Sequence, residues 1–193
     1  MNATPSVLTD AQRHALLALA RQAIRDRVRD ARASSPRPAD PTLQAPAGVF
    51  VTITREGKLR GCIGFVEAVR PLAEAVAHCA ASAAVEDPRF APVRPEELPS
   101  LRVEISVLSL LQPIDDPLAV GVGRHGLFIS HAGRQGLLLP QVATEYGWNR
   151  ETFLRQTCLK AGLAADAWQR GARIHVFTVD HFTDDLPVEP APC

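Results

Sequence analysis

A run with the composition of a β-strand carries a glycine on each side of a cysteine, and this feature constrains the fold more than any other. The run is LRGCIG at residues 59–64. Glycine weakens a strand, and inside one it usually marks a bulge or a point where another backbone or a ligand comes close. Residues 48–54 before it are rich in β-branched and aromatic side chains, and residues 55–58 supply a turn that contains Gly57. We therefore predict a β-hairpin whose second strand closely approaches a neighbouring element or a ligand.

The rest of the chain mixes helices and strands in no regular order. Capping signals, prolines and glycines predict helices over residues 9–34, 71–86, 140–147 and 149–162. Alternating or β-branched runs predict further strands over residues 101–111, 127–130, 136–139 and 172–181. The regular strand–helix–strand rhythm of a doubly wound sheet is absent. The predicted fold class is α+β, with a mixed or antiparallel sheet packed by helices.

Charge and aromatic content argue against nucleic acid as a partner. The chain has 21 basic and 21 acidic residues, so its formal net charge is zero, and aromatic residues make up 5%. Surfaces that bind nucleic acid need uncompensated positive charge and often stacking rings. Nucleotide or RNA binding through arginines and the loop GVGRHG at residues 121–126 stays an alternative, although a hairpin connection is the more ordinary interpretation of that loop.

Cysteine spacing and hydropathy predict a cytoplasmic protein. The cysteines at positions 62, 79, 158 and 193 form no CxxC pair, so free thiols in a reducing compartment fit better than a disulfide framework. The first residues lack the basic segment and apolar stretch of a signal peptide, and no apolar run approaches the length of a membrane span. We expect no membrane association.

Cys62 is the best candidate nucleophile in the sequence. Strand alternation places Arg60 and Cys62 on one face, about 6 to 7 Å apart along the strand. A guanidinium at that distance favours the thiolate form if the site is partly desolvated. The alternative is that Cys62 is a small buried side chain between glycines that allow close packing.

Two further side chains are candidates for acid–base work. Glu104 lies on the polar face of the predicted strand 101–111, where it could transfer protons or form an ion pair with Arg60. His125 lies in a glycine-rich loop that allows a tight, exposed turn, so it is a candidate base. The histidines form no HxH or HExxH pattern, and we predict no metal site in the protein.

Several segments together resemble the AMMECR family, the A component of the AmmeMemoRadiSam set. Besides LRGCIG they are EDPRFAPV at residues 86–93, VEISVLS at 103–109, GLLLPQVA at 136–143 and FLRQTCLKAGL at 153–163, in the family's order. The resemblance implies one domain over residues 8–187, made of two unequal subdomains with the hallmark segment near the cleft between them. We expect the proline-containing tail, residues 188–193, to fray. The family's association with Memo-type proteins and radical SAM enzymes implies these as possible partners in a shared pathway.

The leading hypothesis is an enzyme that acts on a small anionic substrate by group transfer or hydrolysis. Cys62 would be the nucleophile, Glu104 and His125 acid or base groups, and Arg60 and Arg89 clamps for the anion. The motif positions that the resemblance adds to the substrate site are Gly61, Gly64 and Asp87. A non-catalytic binding module that presents the same strand to a partner is the main alternative, and the cofactor is left open.

Overall fold

The computed structural model describes residues 8–30 and 38–184. It confirms the α+β class, with two four-stranded sheets built from antiparallel pairs and packed by helices. The described residues form two compact units, one with residues up to 108 and from 180 onwards, the other with residues 109–179. The predicted frayed tail and residues 31–34 of the first predicted helix lie outside the described residues.

The described residues form five α-helices and eight strands. The helices are α1 (Asp10–Val28), α2 (Pro41–Gln44), α3 (Leu72–Val85), α4 (Pro140–Glu145) and α5 (Arg150–Lys160). The strands are β1 (Gly48–Arg55), β2 (Lys58–Phe65), β3 (Leu101–Leu108), β4 (Gln112–Ile114), β5 (Gly126–His131), β6 (Arg134–Leu138), β7 (Arg173–Phe177) and β8 (Val179–Thr183). The first unit holds the sheet β2-β1-β3-β8 and the second the sheet β4-β7-β5-β6.

The first helix begins where the sequence predicts and ends earlier. The Thr9 hydroxyl accepts the N–H of Gln12 while the Gln12 side chain accepts the N–H of Thr9, so the predicted capping box is present. The helix ends at Val28, not at residue 34, because Asp30 takes a left-handed conformation with φ of 52° that no helix contains.

The core of the first unit lies between one face of its sheet and the helices α1 and α3. Alternate residues of β1 and β3 are fully buried there, namely Val49, Val51, Ile53, Val103 and Ile105. The alanine-rich α3 lies so close to β2 that a Cβ built on Gly61 would be 2.0 Å from the carbonyl oxygen of Ala83. The close approach predicted for the glycine-containing strand is therefore an approach of helix backbone.

Two predictions for residues 121–181 are wrong. The loop at residues 121–126 is no hairpin connection, because β4 before it pairs with β7 while β5 after it pairs with β6 and β7. The last predicted strand, residues 172–181, is divided into β7 and β8, which belong to different sheets. Alternation along a strand identifies its faces but not its neighbours, so neither outcome is visible in the sequence.

Candidate functional site

The face of the first sheet that points away from α1 and α3 carries mostly polar side chains, together with Leu59 and Phe50. Register places Cys62, Thr52 and Glu104 in one row across β2, β1 and β3. Residues directly opposite each other in antiparallel strands share a face. The neighbouring rows are Leu59–Thr54–Arg102 and Gly64–Phe50–Ser106. We call the surface formed by these three rows the polar face.

Cys62 is the most accessible thiol of the described residues. It is half-buried, whereas Cys79 and Cys158 are fully buried. Burial raises the pKa of Cys79 to about 12 and also raises the pKa of Cys158. The Thr52 hydroxyl donates a hydrogen bond to the Cys62 sulfur at 3.3 Å. Cys62 is therefore not the fully buried packing residue of the alternative, and its role as a nucleophile stays a prediction.

Arg60 does not lie beside the thiol as strand alternation predicts. A bulge between Ile53 and Thr54 places Leu59 opposite Thr54, so Arg60 falls at the irregular position. Its guanidinium donates to both carboxylate oxygens of Glu97, at 2.9 and 3.1 Å, and to the carbonyl oxygen of Ala91 at 2.7 Å. The predicted placement is wrong because one extra residue reverses the alternation.

Glu97, the partner of Arg60, is a buried carboxylate that sequence reasoning missed. It also accepts hydrogen bonds from the Arg55 guanidinium and from the Arg94 backbone N–H. The Arg60 hydrogen bond is the main cause that lowers the Glu97 pKa to about 2. The sequence carries only a weak signal for it, a glutamate three residues after Arg94 at the start of a helical turn.

Asp87 and Arg89 hold the backbone of Cys62 at the edge of the sheet. The Cys62 N–H donates to Asp87 Oδ2 at 2.9 Å, and Arg89 Nη2 donates to the Cys62 carbonyl oxygen at 3.3 Å. The two side chains form a bidentate pair, with distances of 2.9 Å for Nε–Oδ1 and 2.6 Å for Nη2–Oδ2. The Arg89 hydrogen bonds hold the Asp87 pKa well below its ordinary range. Together they take the place of a neighbouring strand on β2.

The two glycines of the run serve packing on opposite faces. Gly61 lies against the backbone of α3, and a Cβ built on Gly64 would be 2.3 Å from Cδ1 of the Phe50 ring. Protein atoms fill the space beside the Cα atom of both glycines, so this space is not open to a substrate as the sequence-based prediction expects.

Glu104 remains a free acid–base candidate. Its carboxylate is half-buried and, within the described part of the chain, has neither an ion pair nor a hydrogen bond. The predicted ion pair with Arg60 is not formed, because Arg60 binds Glu97.

A Ser106–His181 pair is a second contact of the polar face that sequence reasoning missed. Ser106 Oγ and His181 Nδ1 are 3.1 Å apart, with Ser106 buried and His181 exposed. The alternation of β3 shows that Ser106 shares a face with Glu104, but only the position of β8 next to β3 brings His181 there.

His125 belongs to the second unit, where it closes a turn. Its Nδ1 accepts the Gly121 N–H at 3.2 Å, and burial, with a smaller effect of the Arg124 charge, lowers its pKa. Its role in the chemistry of Cys62 stays a prediction. Among the described residues no group of three or more His, Cys, Asp or Glu side chains could hold a metal ion.

Comparison with known proteins identifies the family. The model of the AMMECR1 family matches residues 17–182. The chain belongs to the AMMECR1 family. A relative from Thermococcus gammatolerans is 47% identical over 188 residues and one from Thermofilum pendens is 43% identical over 190, with 91% and 89% of each chain covered. The family resemblance seen in the sequence is therefore confirmed.

A solved structure from the same group shares the fold. The crystal structure of PH0010 from Pyrococcus horikoshii is 41% identical, superposes with a TM-score of 0.83, and is covered to 92% of its length by 91% of this chain. None of the helices in residues 8–30 and 38–184 is long and apolar enough to cross a membrane.

Proposed function

We propose that the polar face binds a small molecule and that Cys62 attacks it in a group-transfer or hydrolysis reaction. The row Cys62–Thr52–Glu104 carries this proposal, because it aligns a thiol and a free carboxylate on one face. Neighbouring strands lie about 4.8 Å apart, so the two groups flank a space about 10 Å wide above Thr52. A small substrate that lies across Thr52 would contact both.

Each residue of the row then has a chemical role. The Cys62 thiolate attacks an acyl carbon, a carbon–sulfur bond forms, and the bond to the leaving group breaks. The leaving group takes its proton from solvent water. Glu104 then accepts a proton from the second nucleophile, water in hydrolysis or an acceptor molecule in group transfer, whose attack on the thioester breaks the carbon–sulfur bond and regenerates the thiolate. Thr52 stabilises the charged sulfur by its hydrogen bond.

The charged motif residues act on the site through the backbone. Asp87 and Arg89 hold Cys62 in place, and Arg60 joins β2 to Glu97. Of the arginines, Arg102 is the one that lies on the polar face with no ion pair to another described residue. We therefore assign the contact with an anionic group to Arg102 and not to Arg60.

An acyl-transfer test with p-nitrophenyl acetate examines the thiol directly. The wild-type protein should release a burst of p-nitrophenolate and retain an acetyl group on Cys62, located by peptide mass mapping. C62A should lose both signals, and E104Q should slow the reaction, whereas E145Q, a change at an exposed glutamate of α4, should not. The same burst in C62A, or acetylation at other residues only, would overturn the proposal in favour of a binding module.

Memo-type and radical SAM partners and a cytoplasmic location remain expectations from the sequence. A binding module would have to use groups other than the N–H and C=O of Cys62, because Asp87 and Arg89 already engage both. Co-purification of tagged wild-type and C62S protein with a Memo-type protein tests partner binding separately from thiol chemistry.

A further inference from the structure

Two opposite charges stand side by side on the polar face without pairing. Arg102 and Glu104 are two residues apart on β3, so their side chains leave the same face from Cα atoms about 7 Å apart. Neither group has an ion pair or hydrogen bond with any residue that the structure describes. Elsewhere in this unit the arginines that pair with carboxylates are Arg13, Arg21, Arg27, Arg55, Arg60 and Arg89.

Each of these charges has a threonine directly opposite on β1. Thr54 opposes Arg102, and Thr52 opposes Glu104, so each pair has Cβ atoms about 5 Å apart. The Thr52 hydroxyl donates its hydrogen bond to the Cys62 sulfur, which leaves the lone pairs of its oxygen free to accept. The Thr54 hydroxyl has no partner in the described part of the chain and is free to donate. A donor pair, Arg102 with Thr54, therefore lies beside an acceptor pair, Glu104 with Thr52.

We propose that this patch binds a zwitterion of the amino-acid type. Its carboxylate would accept hydrogen bonds from Arg102 and Thr54, and its ammonium group would donate to Glu104 and Thr52. The inference goes beyond the proposed function by naming the acceptor of the transferred group. A free amino acid has no leaving group on its carboxylate, so its amino nitrogen is the second nucleophile, and the inference rests on that function only for what Cys62 does next. It replaces the small anion expected from the sequence with a ligand of zero net charge.

Charge repulsion selects against ligands with one charge. A simple anion on Arg102 would lie next to the Glu104 carboxylate, and a simple cation on Glu104 would lie next to the Arg102 guanidinium. Charge-assisted contacts of about 2.8 Å at each end allow an amino acid to fit between long side chains that start about 7 Å apart. Cys62 neighbours Thr52 in the same row, on the ammonium side of the ligand.

Binding of three probes measured by amide NMR tests the inference. L-alanine carries both charges, N-acetyl-L-alanine lacks the ammonium group, and L-alaninamide lacks the carboxylate. L-alanine should shift amide signals of β1 and β3 in a saturable way, and each analogue should bind about tenfold more weakly because it loses one charge-assisted contact. Absence of a saturable shift with L-alanine, or equal affinity for the three probes, would overturn the proposal.

Variants assign each end of the probe. E104Q should reduce L-alanine affinity about tenfold and abolish the preference over N-acetyl-L-alanine, while R102Q should abolish the preference over L-alaninamide. E145Q and R124Q, at exposed residues of the second unit, are the matched controls and should bind as the wild type does. If E104Q and R102Q bind L-alanine as tightly as the wild type does, the two side chains are ordinary solvated charges and the proposal is overturned.

C62A separates this inference from the proposed function. L-alanine should still bind to C62A, because the binding contacts do not involve sulfur. If C62A retains the p-nitrophenyl acetate burst while L-alanine binds as expected, the thiol mechanism fails and the zwitterion site stands. If the burst depends on Cys62 but L-alanine does not bind, the thiol mechanism stands and the zwitterion site fails.

Discussion

The hydrogen bond from Thr52 to the Cys62 sulfur is the contact on which the thiol chemistry depends at the scale of single residues. It lies between two neighbouring strands, where the donor is fixed by the sheet and not by a flexible loop. The hydroxyl therefore holds the sulfur in one orientation on the polar face.

Iodoacetamide should label Cys62 before Cys79 and Cys158 in the native protein. Cys79 and Cys158 are fully buried, and burial raises the pKa of both. T52V removes the hydroxyl donor and should slow Cys62 labelling about fivefold, which corresponds to a hydrogen bond of about 1 kcal/mol. Peptide mass mapping at timed intervals measures the rate.

T54V is the matched control, since Thr54 lies on the same face and has no hydrogen bond to sulfur. It should leave the labelling rate unchanged. Labelling of Cys62 only after unfolding, or an equal rate in T52V and the wild type, would contradict a role for this hydrogen bond.

Residue-level prediction from the sequence succeeded where strand periodicity is unbroken. The common face of Glu104 and Ser106 follows from alternation along β3. The predicted position of Arg60 beside Cys62 is wrong because the bulge shifts Arg60. Glu97 was missed because its partners Arg55 and Arg60 come from distant positions in the chain.

At the scale of elements, α3 can lie close to β2 because Gly61 has no Cβ atom. Adding a methyl group at Gly61 would place it 2.0 Å from the Ala83 carbonyl oxygen, a backbone atom that cannot rotate away. G61A should therefore lower the free energy of unfolding by about 3 kcal/mol through overpacking. Urea denaturation followed by circular dichroism measures the change.

G121A provides the comparison for this substitution. A Cβ at Gly121 would meet its nearest neighbour, the Arg124 Cβ, at 3.6 Å, an ordinary van der Waals contact. Its stability should stay within about 0.5 kcal/mol of the wild type. If G61A is equally harmless, the helix is free to move and the close approach is not what requires glycine.

At the exposed edge of β2, Asp87 accepts the backbone hydrogen bond that a neighbouring strand would accept from an inner strand. D87A removes the acceptor of the Cys62 N–H, so hydrogen exchange at that amide should become about tenfold faster. Amide exchange by NMR measures it, with D115A at an exposed aspartate as the control. Equal protection of the Cys62 amide in D87A and the wild type would show that Asp87 does not hold the backbone.

At the scale of the whole molecule, the ion network around Glu97 should make stability depend on pH. The Glu97 pKa falls from 4.5 to about 2 on folding, so the folded state binds its proton less readily than the unfolded state does. The stabilisation is present above pH 4.5 and is lost as pH falls toward about 2.

E97Q should lower the free energy of unfolding by about 2 kcal/mol at neutral pH, because it leaves Arg55 and Arg60 without their carboxylate. The difference between E97Q and the wild type should shrink through this acidic range. Urea unfolding at a series of pH values tests this, and E96Q, at an exposed neighbour, should differ from the wild type by less than about 0.5 kcal/mol. A difference that is constant with pH would rule out titration of Glu97 as its cause.

The sequence alone determined the helix starts, the two faces of the unbroken strand β3, the hairpin around LRGCIG, the α+β class and the family. These depend on local periodicity, capping and the conformational limits of glycine and proline, which a short window of residues encodes. Tertiary structure alone decided that the strand after residue 172 divides between two sheets, that Arg60 binds Glu97, that Asp87 and Arg89 hold Cys62, and that Thr52 lies between Cys62 and Glu104. Register, bulges and ion-pair partners depend on which distant segments pack together, and that choice is made by the free energy of the whole core.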